Sequence, residues 1–392
     1  MRTLPVTFRW LLLGAFASAL ATFVVPFLAL FLATRGFPPS RIGLTVGLYG
    51  LGAAIASPVY GALADRWGRR PVLVGTLLAA AAITAAIPWL EGTGPLAAAV
   101  LAIGLTSNGY RPVVSAVVAD VVPPEDRQRA YGLVSWALNV GVGVALAVGG
   151  TLAEGGYERL FLVDAATTAL FAVVVLAKVP ETRPASAGRP GGPGFAEVLA
   201  DRTYLGLLAI SLLFVIPFAQ FTAALPLAMG ARGLGPQAFG LTMAVNCGLI
   251  GLFQPRVSRL TAGHDPSRLL ALAAVLVGLG YGAYALAGPL WGWMAATAIW
   301  TWGEMLAFPA VETLVSELAP EALRGRYLGG VSAAYGTGFA LAPALGGAVL
   351  ERWGARALWL ACLATGLAVA AAHLAHGPAR RRALAARRPD GV

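Results

Sequence analysis

Apolar residues in this chain do not alternate; they run. Stretches of roughly 18 to 25 predominantly apolar residues, each long enough to cross a ~30 Å hydrocarbon layer as a helix, recur from one end to the other. Short segments rich in Gly, Pro and charge separate them. The pattern predicts an all-α polytopic membrane protein with twelve crossings. They fall near 8–33, 41–64, 71–90, 95–121, 129–152 and 157–179, then 203–230, 237–260, 267–287, 290–318, 325–350 and 354–376. Residues 181–202 break the hydropathy and are dense in Pro and Gly, which reads as a flexible linker. The expected organisation is a six-helix half over 1–180, a linker over 181–202, a six-helix half over 203–378 and a basic tail over 379–392. Prolines inside the spans, among them Pro26, Pro58, Pro112, Pro217, Pro309 and Pro343, mark kinks that neighbouring helices accommodate.

Composition agrees with this class. Of 392 residues 58% are apolar and 12% charged, and mean hydropathy is +0.75. A soluble domain carries about twice that share of charge. The net charge of +10 would suggest nucleic acid in a soluble chain, but here it follows topology. With twelve crossings, 21 of the 28 Lys and Arg fall on one side, 6 on the other and one, Arg111, inside a span. Basic loops face the cytoplasm, which places both termini there and the protein in the cell membrane. The tail arginines, Arg380 to Arg382, Arg387 and Arg388, are expected to lie on anionic headgroups rather than on nucleic acid. Cys247 and Cys362 occupy different spans, so no disulfide framework is indicated. Ala17-Ser18-Ala19 resembles a leader-cleavage site, but the apolar run continues to Ala33 and reads as a retained first helix.

The two halves are copies. Arg35-Gly36, Pro39 and Gly43-Leu44-Thr45 recur as Arg232-Gly233, Pro236 and Gly240-Leu241-Thr242, an offset of 197 residues. The same offset carries Pro58 to Pro255, Pro112 to Pro309, Asp120 to Glu317, Arg127 to Arg324 and Glu154 to Glu351. Parallel six-helix repeats about an axis along the membrane normal are a transporter architecture.

One loop concentrates charge in a chain that has little. Gly61-Ala-Leu-Ala-Asp65-Arg66-Trp-Gly68-Arg69-Arg70 joins spans 2 and 3, and Pro71 opens the next helix. Gly61 and Gly68 permit close backbone approach and a tight turn. Without further information this is a basic loop that sets topology. At every diagnostic position, however, it resembles the signature loop of the major facilitator superfamily. That resemblance implies a charge relay that latches the two halves of a transporter, with Asp65 and Arg69 as members. Asp120, at the end of span 4, takes the third place. In the second half Asp65 maps to Ala262 and Gly68 to Asp265, so the copy of this loop has decayed. Asp120 with Arg127, and Glu317 with Arg324, kept acid and base and are expected to line the cytoplasmic gate.

Four ionisable residues fall inside spans: Arg111, Asp164, Glu304 and Glu312. At the bilayer centre each costs on the order of 2.5–3.5 kcal/mol, so each needs a polar partner or a cavity. Helical rise puts Arg111 about 14 Å, and Glu304 about 20 Å, from the acids that end their helices. The resemblance implies that spans 4 and 10 face one central cavity. Glu304 then either exchanges a proton for a cation or forms a static pair with Arg111. Glu312 is about 80° around the helix from Glu304 and nearer the gate. Asp164 suits helix capping as well as transport. Asn108, Asn139, Gln220, Asn246, Trp136, Tyr281, Tyr284, Trp300, Trp302 and Tyr335 could shape the cavity, while Trp291 and Trp293 look like interfacial belt residues.

Antiporters of the family carry on helix 5 a run resembling Gly-x-x-x-Gly-Pro-x-x-Gly-Gly. Here Gly149-Gly150 survives but Ala145-Leu146 replaces Gly-Pro. The chain's single lysine, Lys178, follows Ala177, so no phosphate-binding Gly-Lys loop exists, and no nucleophile elbow or zinc motif is present. His373 and His376 lack further ligands. The expectation is a transporter rather than an enzyme, monomeric, needing no cofactor and driven by a proton gradient. It most resembles the drug/proton antiporter branch, which implies export of lipophilic small molecules, cations among them. Proton-coupled transport of sugars, organic anions or lipids is the alternative.

Overall fold

The structure is a computed structural model that describes residues 4–20, 23–182, 195–320 and 323–387. The centre of the expected linker and the end of the basic tail lie outside the described residues. Helices account for nearly all the rest. In chain order they are α1 (Val6–Ala19), α2 (Val24–Thr34), α3 (Pro39–Trp67), α4 (Arg69–Ala86), α5 (Thr93–Val121), α6 (Pro124–Glu154) and α7 (Tyr157–Lys178). Then follow α8 (Phe195–Ala200), α9 (Arg202–Phe218), α10 (Ala224–Gly230), α11 (Pro236–Thr261), α12 (Pro266–Ala283), α13 (Leu290–Leu318) and α14 (Arg324–Arg387). α14 is two rods that meet at Gly354, whose φ of 79° and ψ of 172° are not helical.

The repeat legible in the sequence governs the element boundaries. α4 and α12, and α5 and α13, begin and end at positions 197 residues apart, and α3 and α11 begin so. Gly36 and Gly233 hold the same turn, each at φ 77°. The first crossing of each half is also broken at a matching depth. α1 stops at Ala19 and α2 starts at Val24, while a 3-10 turn over Ala219–Thr222 separates α9 from α10.

Among the described residues eight helices, or nine with the bent α3, are long and apolar enough to cross a membrane, and α14 counts once among them. α5 and α13 are the long helices that fall short. They carry Arg111 and Asn108, and Glu304 and Glu312, into the bundle, and those residues lower their hydropathy. The expected linker is not unstructured to its end: Val198 of α8 is buried beside Leu314 and Leu318 of α13. Nor does the basic tail leave the fold at 379, because α14 continues and buries Arg380.

Two seams join the halves, and both are closed at one end only. On α3, Gly43 packs on the Pro343 carbonyl, Gly50 on the Phe339–Ala340 backbone and Ala54 on Gly336 of α14. On α6, Gly143 meets Cys247, and Gly150 meets Gln237 of α11. The small residues let these backbones approach closely. The same helix faces continue toward the signature loop as Gly61 on α3, Trp136 on α6 and Gly329 on α14. A Cβ added at Gly61 or Gly329 would meet nothing, and Trp136 is 59% exposed. The halves therefore part toward the signature loop and enclose a cleft that opens at that end.

Candidate functional site

The signature loop folds as a network that ties three helices together. Gly68 turns the chain from α3 into α4 at φ 101°, a left-handed conformation that favours glycine. Its absent side chain leaves room for the Glu181 carboxylate. Glu181 accepts the Arg69 and Arg70 backbone N–H groups at 2.8 and 3.2 Å, an anion on the N-terminus of α4. Arg69 pairs with Asp65 and, through Nε at 3.3 Å, with Asp120. Thr182 adds a bond to Asp120 at 3.2 Å. Partial burial works against the Arg69 charge, but the two carboxylates outweigh it and hold its pKa above the ordinary value. Arg70 donates to the Leu176 carbonyl at the C-terminal turn of α7.

The three residues that the resemblance places in a relay, Asp65, Arg69 and Asp120, thus pair with one another, entirely within the first half and beside the start of the linker. Gly61 makes no close backbone approach here: nothing lies within 4 Å of a Cβ placed on it. Arg127 departs from its expected pairing as well. It donates to the Val122 and Ala119 carbonyls at 3.1 and 2.6 Å, closing the C-terminus of α5 instead of meeting an acid. Glu317 and Arg324 line one surface pocket together with Glu312. No ion pair joins them among the described residues. Arg66 is exposed beside the relay.

Further into the cleft, each half contributes one charged centre. Glu304, half-buried on α13, accepts the Asn246 amide of α11 at 2.7 Å. The same amide nitrogen donates to Thr301, one turn before Glu304, at 3.0 Å. Arg111 of α5 is exposed to the cleft. Among the described residues it makes no ion pair with Glu304, Glu312 or Asp164, so the static Arg111–carboxylate pair is not formed in this conformation. Trp136 and Asn139 lie exposed on the α6 face that passes from the closed seam into the cleft. The Tyr335 ring packs edge-on against Phe308 at 5.5 Å, and its hydroxyl is buried without a partner.

Asp164 resolves toward capping. Its Oδ2 accepts the backbone N–H groups of Phe23 and Val24 at 2.9 and 3.0 Å, where α2 begins after the break in the first crossing. Two N–H groups left free by the discontinuous helix are thereby satisfied inside the membrane. A cavity of about 90 Å³ adjoins it, lined also by Tyr49, Asn108 and Arg111. Asn108 donates to the Tyr49 hydroxyl and the Gly104 carbonyl, both at 2.9 Å.

Several aromatic residues expected at the cavity belong to the core of the second half instead. Tyr281, Tyr284 and Trp300 are buried. Trp300 donates to the Tyr284 hydroxyl at 2.8 Å, and Tyr281 donates to the Phe218 carbonyl at 2.5 Å. Trp293 stacks on Tyr284 at 5.2 Å and is buried, whereas Trp291 is exposed as a belt residue would be. Gln220 bridges the 3-10 turn to the Ala342 carbonyl of α14 at 2.9 Å. The sequence reading missed Thr301, Tyr49 and Glu181. Two had signals: Thr301 is a hydroxyl three residues before Glu304 on one helix face, and Glu181 is an acid two residues after the sixth span; nothing local marks Tyr49.

Two copies of a six-helix unit, a polar cleft open at one end and ionisable residues lining it define a membrane transporter. The chain belongs to the Major Facilitator Superfamily, whose model matches residues 11–261 and 221–390. Among its relatives, a Na(+), Li(+), K(+)/H(+) antiporter of Planococcus maritimus is 24% identical over 355 residues, covering 82% of this chain and 84% of that protein. The multidrug resistance protein MdtH of Aeromonas salmonicida (strain A449) is 27% identical over 327 residues, covering 82% of each. The solved structure of the nucleoside transporter NupG superposes with a TM-score of 0.81 at 13% identity, covering 95% of this chain and all of the other. It shares the fold.

Proposed function

We propose that this transporter exports lipophilic small molecules, cations among them, from the cytoplasm in exchange for protons, by alternating access, as a monomer with both termini cytoplasmic in the cell membrane. The observation that carries this reading is Glu304, a carboxylate within a span that is half-buried, bonded to the neutral Asn246 and paired with no cation among the described residues. A carboxyl so placed can be neutral in one state and ionised in another, and can trade its proton for a cationic substrate. The kinship with an antiporter and a multidrug resistance protein supports the direction and the cargo class.

The test is flux into proteoliposomes under an imposed pH gradient, followed with a panel of lipophilic cations. Wild type should accumulate substrate against its gradient and lose that ability when the pH gradient is collapsed. Glu304→Gln should retain folding and exchange but lose gradient-driven accumulation. Undiminished coupled transport by Glu304→Gln would overturn the assignment.

A second reading rests on Arg111, a guanidinium open to the cleft and paired with no carboxylate among the described residues. It suits an anionic substrate group. Binding of organic anions that weakens at Arg111→Ala, with no response to cations, would favour it.

A further inference from the structure

The decayed copy of the signature loop leaves a space with a charge inside it. In the first half the loop end is filled by long side chains: Asp65, Arg66, Arg69 and Arg70, with Glu181 across from them. At the same offset of 197 the second half has Ala262, Gly263, Pro266, Ser267 and Pro378. Each replacement is shorter or carries no charge. Where the relay would sit there is instead a pocket of about 720 Å³ between the end of α11, the start of α12, α13 and the extension of α14.

Arg380 lines this pocket. It is 1% exposed. Its Nη1 donates to His373 Nδ1 at 3.0 Å and to Ser267 at 3.4 Å. Its Nε and Nη2 groups are buried and find no acceptor among the described residues. A buried guanidinium with unmade hydrogen bonds is costly and calls for an anion or another acceptor. Burial lowers its pKa to about 10, which still leaves it charged at neutral pH. The neighbouring carboxylate is already occupied: Asp265 pairs with Arg381 at 2.7 Å and Arg268 at 3.9 Å, and caps the Ser267 N–H at 2.9 Å. Glu317, exposed at the rim, is the one acid of the lining without such a pair.

We propose that this pocket binds a phosphate-bearing anion, either the headgroup of an anionic phospholipid or a soluble phosphate, with Arg380 as its principal ligand. A tetrahedral oxyanion fits a guanidinium through two parallel N–H···O bonds. The pocket opens on the same end of the bundle as the signature loop, where headgroups and soluble phosphates are both within reach.

The experiment is thermal unfolding of the full-length protein in detergent, with added phosphatidylglycerol, phosphatidylcholine or inorganic phosphate. Phosphatidylglycerol should raise Tm by about 3 °C or more, as a ligand selective for the folded state does, and phosphatidylcholine should not. A rise with inorganic phosphate alone would assign the soluble source. Arg380→Gln should abolish the response, and Arg382→Gln, an exposed arginine of the same helix, should keep it. Should Arg380→Gln fail to fold, Thr313→Trp keeps Arg380 and obstructs the pocket from its exposed wall, and should also lose the response. Equal shifts with phosphatidylglycerol and phosphatidylcholine, no shift with either anion, or full responses in both pocket variants would overturn the proposal.

Discussion

Glu351, at the end of the first rod of α14, accepts the backbone N–H of Ser40 at 2.9 Å and so joins the second half to the first across the closed end. Ser40 lies in the first turn of α3, so the carboxylate also faces a helix N-terminus. Its repeat mate Glu154 sits beside Gly235, which precedes α11, so the closed end carries an acid on each seam. The Ser40 bond holds the Glu351 carboxyl below the usual carboxylate range. When this end opens the bond is lost and the pKa returns to its ordinary value. The closed end is therefore favoured above the ordinary pKa of Glu351, and that preference fades as pH falls through the lowered one. Acidification, and Glu351→Gln at neutral pH, should move the population toward the state open at this end, on the order of severalfold for an exposed contact. Distances between spin labels on the turn that precedes α3 and at the Gly354 joint of α14 would measure the shift. An unchanged distribution would remove Glu351 from the closure.

The open end has its own geometry to test. In the pairs Gly43 with Gly347, Gly50 with Ala340 and Ala54 with Gly336, which lie together along the α3–α14 seam, the two residue numbers add to 390. The same antiparallel register sets Gly61 opposite Gly329, two glycines that touch nothing in this conformation. When the signature-loop end closes, these two should meet. A Gly61→Cys, Gly329→Cys pair should cross-link poorly in the present state and efficiently once the closed end is opened by Glu351→Gln. Cross-linking that is equally fast in both backgrounds would break the link between register and closure.

Asp65 and Arg69 predict a kinetic phenotype. Their relay holds α3, α4 and α5 together within the first half, and its pairs are partly exposed, so each is worth only ~0–1 kcal/mol. Asp65→Asn should slow turnover several-fold while leaving substrate affinity near wild type. Affinity and turnover that fall together would instead indicate damage to the cleft.

These relationships differ in how far they could be read in advance. The repeat was legible residue by residue, because an ungapped offset of 197 fixes both helix boundaries and turn glycines. The relay was legible because Asp65, Arg69 and Asp120 follow a spacing with a known geometry. The cleft was less so. Periodicity says which residues share a helix face, not which face meets solvent, and so it leaves Tyr281, Tyr284 and Trp300 open between cavity and packing, where the structure puts them in the core of the second half. Glu351 and Ser40 are 311 residues apart, and no local pattern marks a carboxylate that will cap a helix of the other half.

Asp164 allows capping and transport to be separated. The first crossing is interrupted after Ala19 and resumes at Val24, and Oδ2 of Asp164 satisfies the N–H groups of Phe23 and Val24 there. A cap of this kind contributes about 0.5–2 kcal/mol in water, and within a membrane no solvent replaces it. Asp164→Ala should therefore lower Tm and weaken expression. Asp164→Asn keeps an amide oxygen that can accept both bonds and should restore stability. If capping is the whole role, Asp164→Asn will also transport at the wild-type rate with an unchanged pH profile. A stable Asp164→Asn protein whose transport no longer responds to pH would assign Asp164 a proton of its own, beside that of Glu304. Thermal unfolding and proteoliposome flux on the two variants separate these outcomes, since the amide preserves the acceptor and removes only the ionisation.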